Sequence, residues 1–169
     1  MIHQRPPLDL DTAQAADAIP LETLGFDAFE TALLPVLRHF LTALASPESQ
    51  GWRLAYGIAA ERWGPGDGPQ IAHRLFGMIE AMQACRAARF RFGNPLCARC
   101  RGLLTPDELA FLTLLHHMRR DRTDAARLAL AEISGGVMDV TLIRAGLSFA
   151  ARFPAVTGAA QQAGSRHLH

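Results

Sequence analysis

From Phe29 onward apolar residues return every three or four positions, and Phe29, Ala32, Leu33, Val36, Leu37, Phe40, Leu41 and Leu44 mark one face of a helix. Asp27, with Glu30 three places on, makes a capping-box-like start, so a first helix is predicted over 27–45, kinked at Pro35 and ended by Ser46-Pro47. A second, over 47–63, sets Trp52, Ala55, Tyr56, Ala59 and Trp63 on neighbouring turns, until Gly64-Pro65-Gly66-Asp67-Gly68-Pro69 reads as a loop. A third, over 69–92, carries a core stripe of Ile71, Leu75, Met78, Ile79 and Met82. Its other stripe, Gly77, Ala81, Ala84 and Ala88, is small enough for a neighbouring helix, or a second copy in a homodimer, to approach closely.

Gly93-Asn94-Pro95 stops that helix, and Thr105-Pro106-Asp107-Glu108 opens a fourth, over 106–120, with an N-cap, a Pro at the first helical position and an acid at the third. Thr123 is read as the cap of a fifth helix reaching Ile133, Ser134-Gly135-Gly136 ends it, and Asp139 caps a sixth over 140–153. No segment alternates convincingly as a strand. The pattern predicts an all-α fold, a single-domain bundle of about six helices with one Cys-x-x-Cys loop between helices three and four. Residues 1–20, with three prolines and no sustained period, are expected to be a flexible N-terminal arm, 21–154 the bundle domain, and 155–169 a flexible C-terminal tail.

At 169 residues the chain suits one domain, and 49% hydrophobic with 20% charged residues is a globular balance. A net charge of +1 supplies no global field toward nucleic acid or membrane. All 17 basic residues are Arg, which fits GC-rich, bacterial coding more than a demand for guanidinium chemistry. Apolar runs are broken well before the ~20 residues of a membrane span, and Met1–Pro7 lacks the apolar segment of a signal peptide, so a cytoplasmic chain with no membrane partner is expected. Three cysteines, an odd number, fit thiols in a reducing compartment better than a disulfide framework.

The run Asn94-Pro95-Leu96-Cys97-Ala98-Arg99-Cys100 resembles zinc knuckles over that one loop, where a two-residue spacer lets two thiolates converge on one metal. Two thiolates are half a tetrahedral site. Cys85 could supply a third if the loop folds back along helix three, and His116 or His117 a fourth, although both lie ~15 Å along helix four. An iron–sulfur cluster on the three cysteines would lack a fourth, and ranks below zinc. His116 and His117 share a face with Thr113 and Arg120, opposite Phe111, Leu114, Leu115 and Met118, so the plainer expectation is a solvated pair.

Three functions are weighed. The leading one is a non-enzymatic binding or regulatory protein with a structural zinc site, acting through a protein partner, since no phosphate loop, nucleophile elbow or Glu-x-x-His pair is present. The first alternative is a thiol redox protein or sensor using Cys97 and Cys100, whose thiol pKa Arg99 and Arg101 would lower. The second is a nucleic-acid-associated regulator using the Arg-rich segment 86–127, with Arg99, Arg101, Arg119 and Arg120 as candidate binding groups.

Overall fold

The computed structural model describes residues 15–156, so the arm expected over 1–20 up to residue 14, and the tail expected over 155–169 from residue 157 onward, lie outside the described residues. Among the described residues five α-helices make an all-α bundle: α1 (Ala28–Ala45), α2 (Gly51–Cys85), α3 (Pro106–Met118), α4 (Thr123–Ser134) and α5 (Val140–Arg152). Two short strands, β1 (Ile19–Pro20) and β2 (Leu103–Leu104), pair antiparallel with Ile19 opposite Leu104. This pairing ties the segment preceding α1 to the chain just after the Cys-x-x-Cys turn.

α1 begins at the expected place because Asp27 and Glu30 form a complete capping box, each side chain accepting from the other residue's amide. It continues through Pro35 to Ala45 and buries Leu33, Leu34, Val36, Leu37, Phe40 and Leu41. By length and composition α1 could cross a membrane, with a mean hydropathy of 1.2 over 18 residues, but half of it is buried in the bundle. It also carries Glu30 and Arg38, both ion-paired to the α3 region, as befits a helix packed into a core.

The predicted loop at 64–69 is not formed. Gly64 alone leaves the helical region, at φ 81° and ψ 168°, and the second and third predicted helices become two segments of α2, over 51–63 and 65–85. This is why five helices stand where about six are expected. Pro65 opens the second segment, where its missing N–H leaves no helical bond unmade. Gly68 then packs so closely on the backbone of Ala59 and Ala60 that a Cβ there would overlap it, so the Gly-rich composition serves a close crossing instead of a loop.

α2 also ends seven residues earlier than predicted, at Cys85, and Arg86 is extended at φ −98° and ψ 126°. The guanidinium of Arg86 donates to Ile133 O at 2.8 Å and to Asp107 Oδ1 at 2.8 Å. Beyond it Arg89 and Arg91 face water while Phe90 and Phe92 are buried, a period of two that lays the chain along the foot of α3.

α3 starts as predicted, with a Thr105/Glu108 capping box and Pro106 in its first turn. Asp139 caps α5 through Leu142 N at 2.8 Å. The cap of α4 differs: Arg122 occupies that position without a side-chain bond, and Thr123 is already helical. α3 pairs with α4, α2 reaches across to α5, and Phe111, Leu115, Leu130, Ile133, Leu142 and Phe149 close the core between them.

Candidate functional site: a disulfide turn clamped by a buried ion pair

Asn94 begins the turn, its side chain accepting from Leu96 N at 2.9 Å and its carbonyl from Cys97 N at 3.2 Å. Ala98–Gly102 forms a 3₁₀ turn in which Cys100 N donates to Cys97 O at 3.1 Å. This brings the two Cα atoms to 5.3 Å, and Cys97 and Cys100 form a disulfide. Cys97 is half-buried and Cys100 is 3% exposed, so the two residues differ in access.

The expected zinc site is therefore not formed, because both loop thiols are bonded to each other and have no thiolate to offer a metal. Among the described residues no three His, Cys, Asp or Glu side chains converge to hold an ion. Cys85 lies elsewhere: its thiol donates to Met82 O at 3.4 Å, and burial together with the Asp139 charge pushes its pKa up. It stays a protonated thiol at the end of α2, because the chain leaves that helix extended instead of folding back along it.

His116 and His117 are placed beside Glu30 and not with the cysteines, and they are not a solvated pair. His116 Nδ1 lies 2.9 Å from Glu30 Oε2, and His117 Nδ1 is buried with no hydrogen-bond partner among the described residues. Arg119 and Arg120 turn into the same cluster. Arg119 donates to Glu30 Oε1 at 2.6 Å and Asp27 Oδ2 at 2.8 Å, with its guanidinium over the Phe29 ring at 4.5 Å. Arg120 bonds the same two carboxylates at 2.5 and 3.0 Å. With Arg86 also paired, much of the Arg-rich segment is spent on internal contacts, whereas Arg99 and Arg101 stand exposed beside the cysteines.

Behind the disulfide lies a feature that helical periodicity did not single out. Arg38, 2% exposed, meets fully buried Glu108 in a two-point ion pair, Nε to Oε1 at 2.7 Å and Nη2 to Oε2 at 2.9 Å. The same guanidinium donates to Cys100 O at 2.8 Å and Leu103 O at 2.5 Å. Glu108 in turn accepts from Gly93 N at 3.0 Å and Thr105 N at 2.9 Å. Gly93 is required here, since a Cβ would overlap the Arg38 guanidinium. The sequence does carry a signal: Arg38 falls between Leu34 and Leu41 on the apolar face of α1, where a charge must find a partner.

Comparison of the chain with protein-family models, with curated proteins and with solved structures finds no match in any of the three.

Unlike Cys85, two carboxyls and two imidazoles shift downward. Burial alone would raise Asp27 and Glu30, but hydrogen bonds and the charges of Arg119, Arg120 and His116 outweigh it and hold both carboxyls below their ordinary 3.8 and 4.5. Burial lowers His39 and, with the nearby His116, Arg122 and Arg120 charges, His117, both from 6.5. Each group binds its proton more readily when unfolded, so folding stability rises with pH. Thermal melting should therefore fall as the pH drops below about 6.5, and fall more steeply below 4.5 and 3.8, until the folded carboxyls protonate at their lowered values. A melting temperature that is flat or rising from pH 7 to 4 would contradict this.

Proposed function

We propose that the chain is a thiol redox protein or sensor whose working group is the Cys97–Cys100 pair. The observation that carries this is the pairing itself, with a half-buried cysteine beside a fully buried one. An incoming thiolate attacks Cys97 Sγ, the bond to Cys100 breaks, and Cys100 leaves with the electron pair and takes up a proton. A second thiol displaces Cys97, so two electrons and two protons enter the protein and the two donor thiols leave as a disulfide. Exposed Arg99 and Arg101 favour the thiolate form.

Two further observations separate this from a purely structural cross-link. The bond closes a loop of only four residues, for which chain entropy supplies about 2 kcal/mol, less than the ~3 of a 15-residue loop. Arg38 already holds Cys100 O and Leu103 O, so the turn keeps its anchor after reduction. In the cytoplasm expected from the sequence, disulfides are mostly transient, catalytic or redox-sensing.

The test is a thiol count and redox titration of the full chain. The oxidised protein should present one thiol, Cys85, and the dithiothreitol-reduced protein three, reversibly, with helical content unchanged. The midpoint should lie above about −270 mV, the range of exchanging pairs, whereas a value below about −300 mV would mark a structural bond and overturn the proposal. Cys97→Ser should abolish cycling while leaving the fold intact.

A further inference from the structure

Beside the disulfide turn lies a cleft of about 540 Å³ whose rim includes Leu96 and Arg101, the immediate neighbours of Cys97 and Cys100. This volume lies within the ~300–1,000 Å³ of small-molecule sites. Two other clefts, of about 270 and 450 Å³, are lined by no residue of the turn.

The walls have a definite chemistry. Leu34 and Ile58 offer an apolar surface, and at the edge stand exposed Arg62 and Arg101, neither in an ion pair among the described residues. Glu61 lines the same cleft and offsets one of those charges, while Arg38, also in the wall, is already matched by Glu108. One guanidinium charge is left over. His39 is 7% exposed and borders the cleft, yet its ring makes no hydrogen bond within the described residues. Its ring nitrogens are not sealed from solvent, so they are open to a polar ligand that enters the cleft.

We propose that this cleft binds a small peptidic thiol carrying carboxylates and presents its sulfur to Cys97. The inference rests on the redox reading above and names the substrate of that site. Arg62 and Arg101 bind the carboxylates, His39 hydrogen-bonds a polar group of the peptide, and the apolar wall takes its aliphatic stem. The bound thiol, as thiolate, attacks Cys97 Sγ and displaces Cys100 as the leaving thiolate, forming a mixed disulfide. A second molecule of the same thiol attacks the peptide sulfur, releasing the peptide disulfide and leaving both cysteines reduced, each sulfur protonated from solvent.

The experiment compares the rates at which glutathione, cysteamine and dithiothreitol reduce the oxidised full-length protein, each normalised to its thiolate fraction. Glutathione, with two carboxylates, should exceed cationic cysteamine by on the order of a hundredfold, and Arg62→Ala and Arg101→Ala should each remove about tenfold of that preference. The quantity read in each variant is the ratio of the glutathione rate to the dithiothreitol rate, which cancels any change in the reactivity of the disulfide itself. S-methylglutathione, which cannot react, should compete with glutathione in the wild type and lose that effect in His39→Gln and in the double arginine variant. Equal normalised rates for the three thiols, or a preference untouched by all three substitutions, would overturn the inference while leaving the redox reading intact. A disulfide that dithiothreitol cannot reversibly reduce would overturn both.

Discussion

Glu108→Ala is expected to lower folding stability by about 3–5 kcal/mol, the usual consequence of removing one partner of a buried ion pair. Against a typical total of about 5–15 kcal/mol this is a large fraction, and calorimetry or chemical denaturation would register it directly. The side chain of Arg38 is 3% exposed and would remain charged in the interior without its counter-ion. Gly93 N and Thr105 N would lose their acceptor as well. The damage should extend to the turn, because the guanidinium that Glu108 orients also holds Cys100 O and Leu103 O. A paired apolar replacement, Arg38→Met with Glu108→Leu, should be milder than Glu108→Ala alone, since it removes both charges together. A single-variant loss below about 1 kcal/mol, or a double variant no better than the single, would mean that the pair is not the anchor described here.

Glu30→Ala should have a comparable effect, again about 3–5 kcal/mol, at the opposite end of α3. The fully buried carboxylate is shared by Arg119, Arg120 and His116 and also caps α1 through Asp27 N. Removing it leaves two guanidinium groups competing for Asp27 alone and opens the capping box. Glu30→Gln keeps the shape and removes the charge, so it should lose less stability and also flatten the decline of melting temperature below pH 4.5. If Glu30→Gln retained the full acid dependence, the depressed carboxyl would have to be sought elsewhere, with Asp27 the next group to replace.

Local pattern was enough to place the ends of α1, α3 and α5, because capping boxes, a proline in the first turn and helical spacing of apolar residues act within a few positions of one another. The same local rules misplace the Gly/Pro run at 64–69. Whether Gly68 sits in a loop or at a helix crossing depends on Ala59 and Ala60 packing against it, which propensity does not contain. The alternation of Arg89, Phe90, Arg91 and Phe92 was readable as extended chain, but it was absorbed into the tail of a strong helical stripe.

The candidate site was half legible. Cys97 and Cys100 stand out by spacing alone, as do the flanking arginines, but spacing suits a metal, a dithiol or a disulfide equally. What chose among them was the bond between Cys97 and Cys100, together with a fold that places Cys85, His116 and His117 elsewhere. Arg38 and Glu108 lie 70 residues apart and His116 and Glu30 lie 86 apart, so no window along the chain joins them.

By itself, then, the amino-acid sequence determined the helical class, most helix starts, and the closely spaced cysteines at 97 and 100, since these depend on backbone preference and near neighbours. Only the tertiary structure decided that the pair is a disulfide, that Arg119 and Arg120 serve the interior, and that a buried guanidinium stands behind the turn. Buried charges must be neutralised by groups brought from far along the chain, and that matching exists only once the helices have packed.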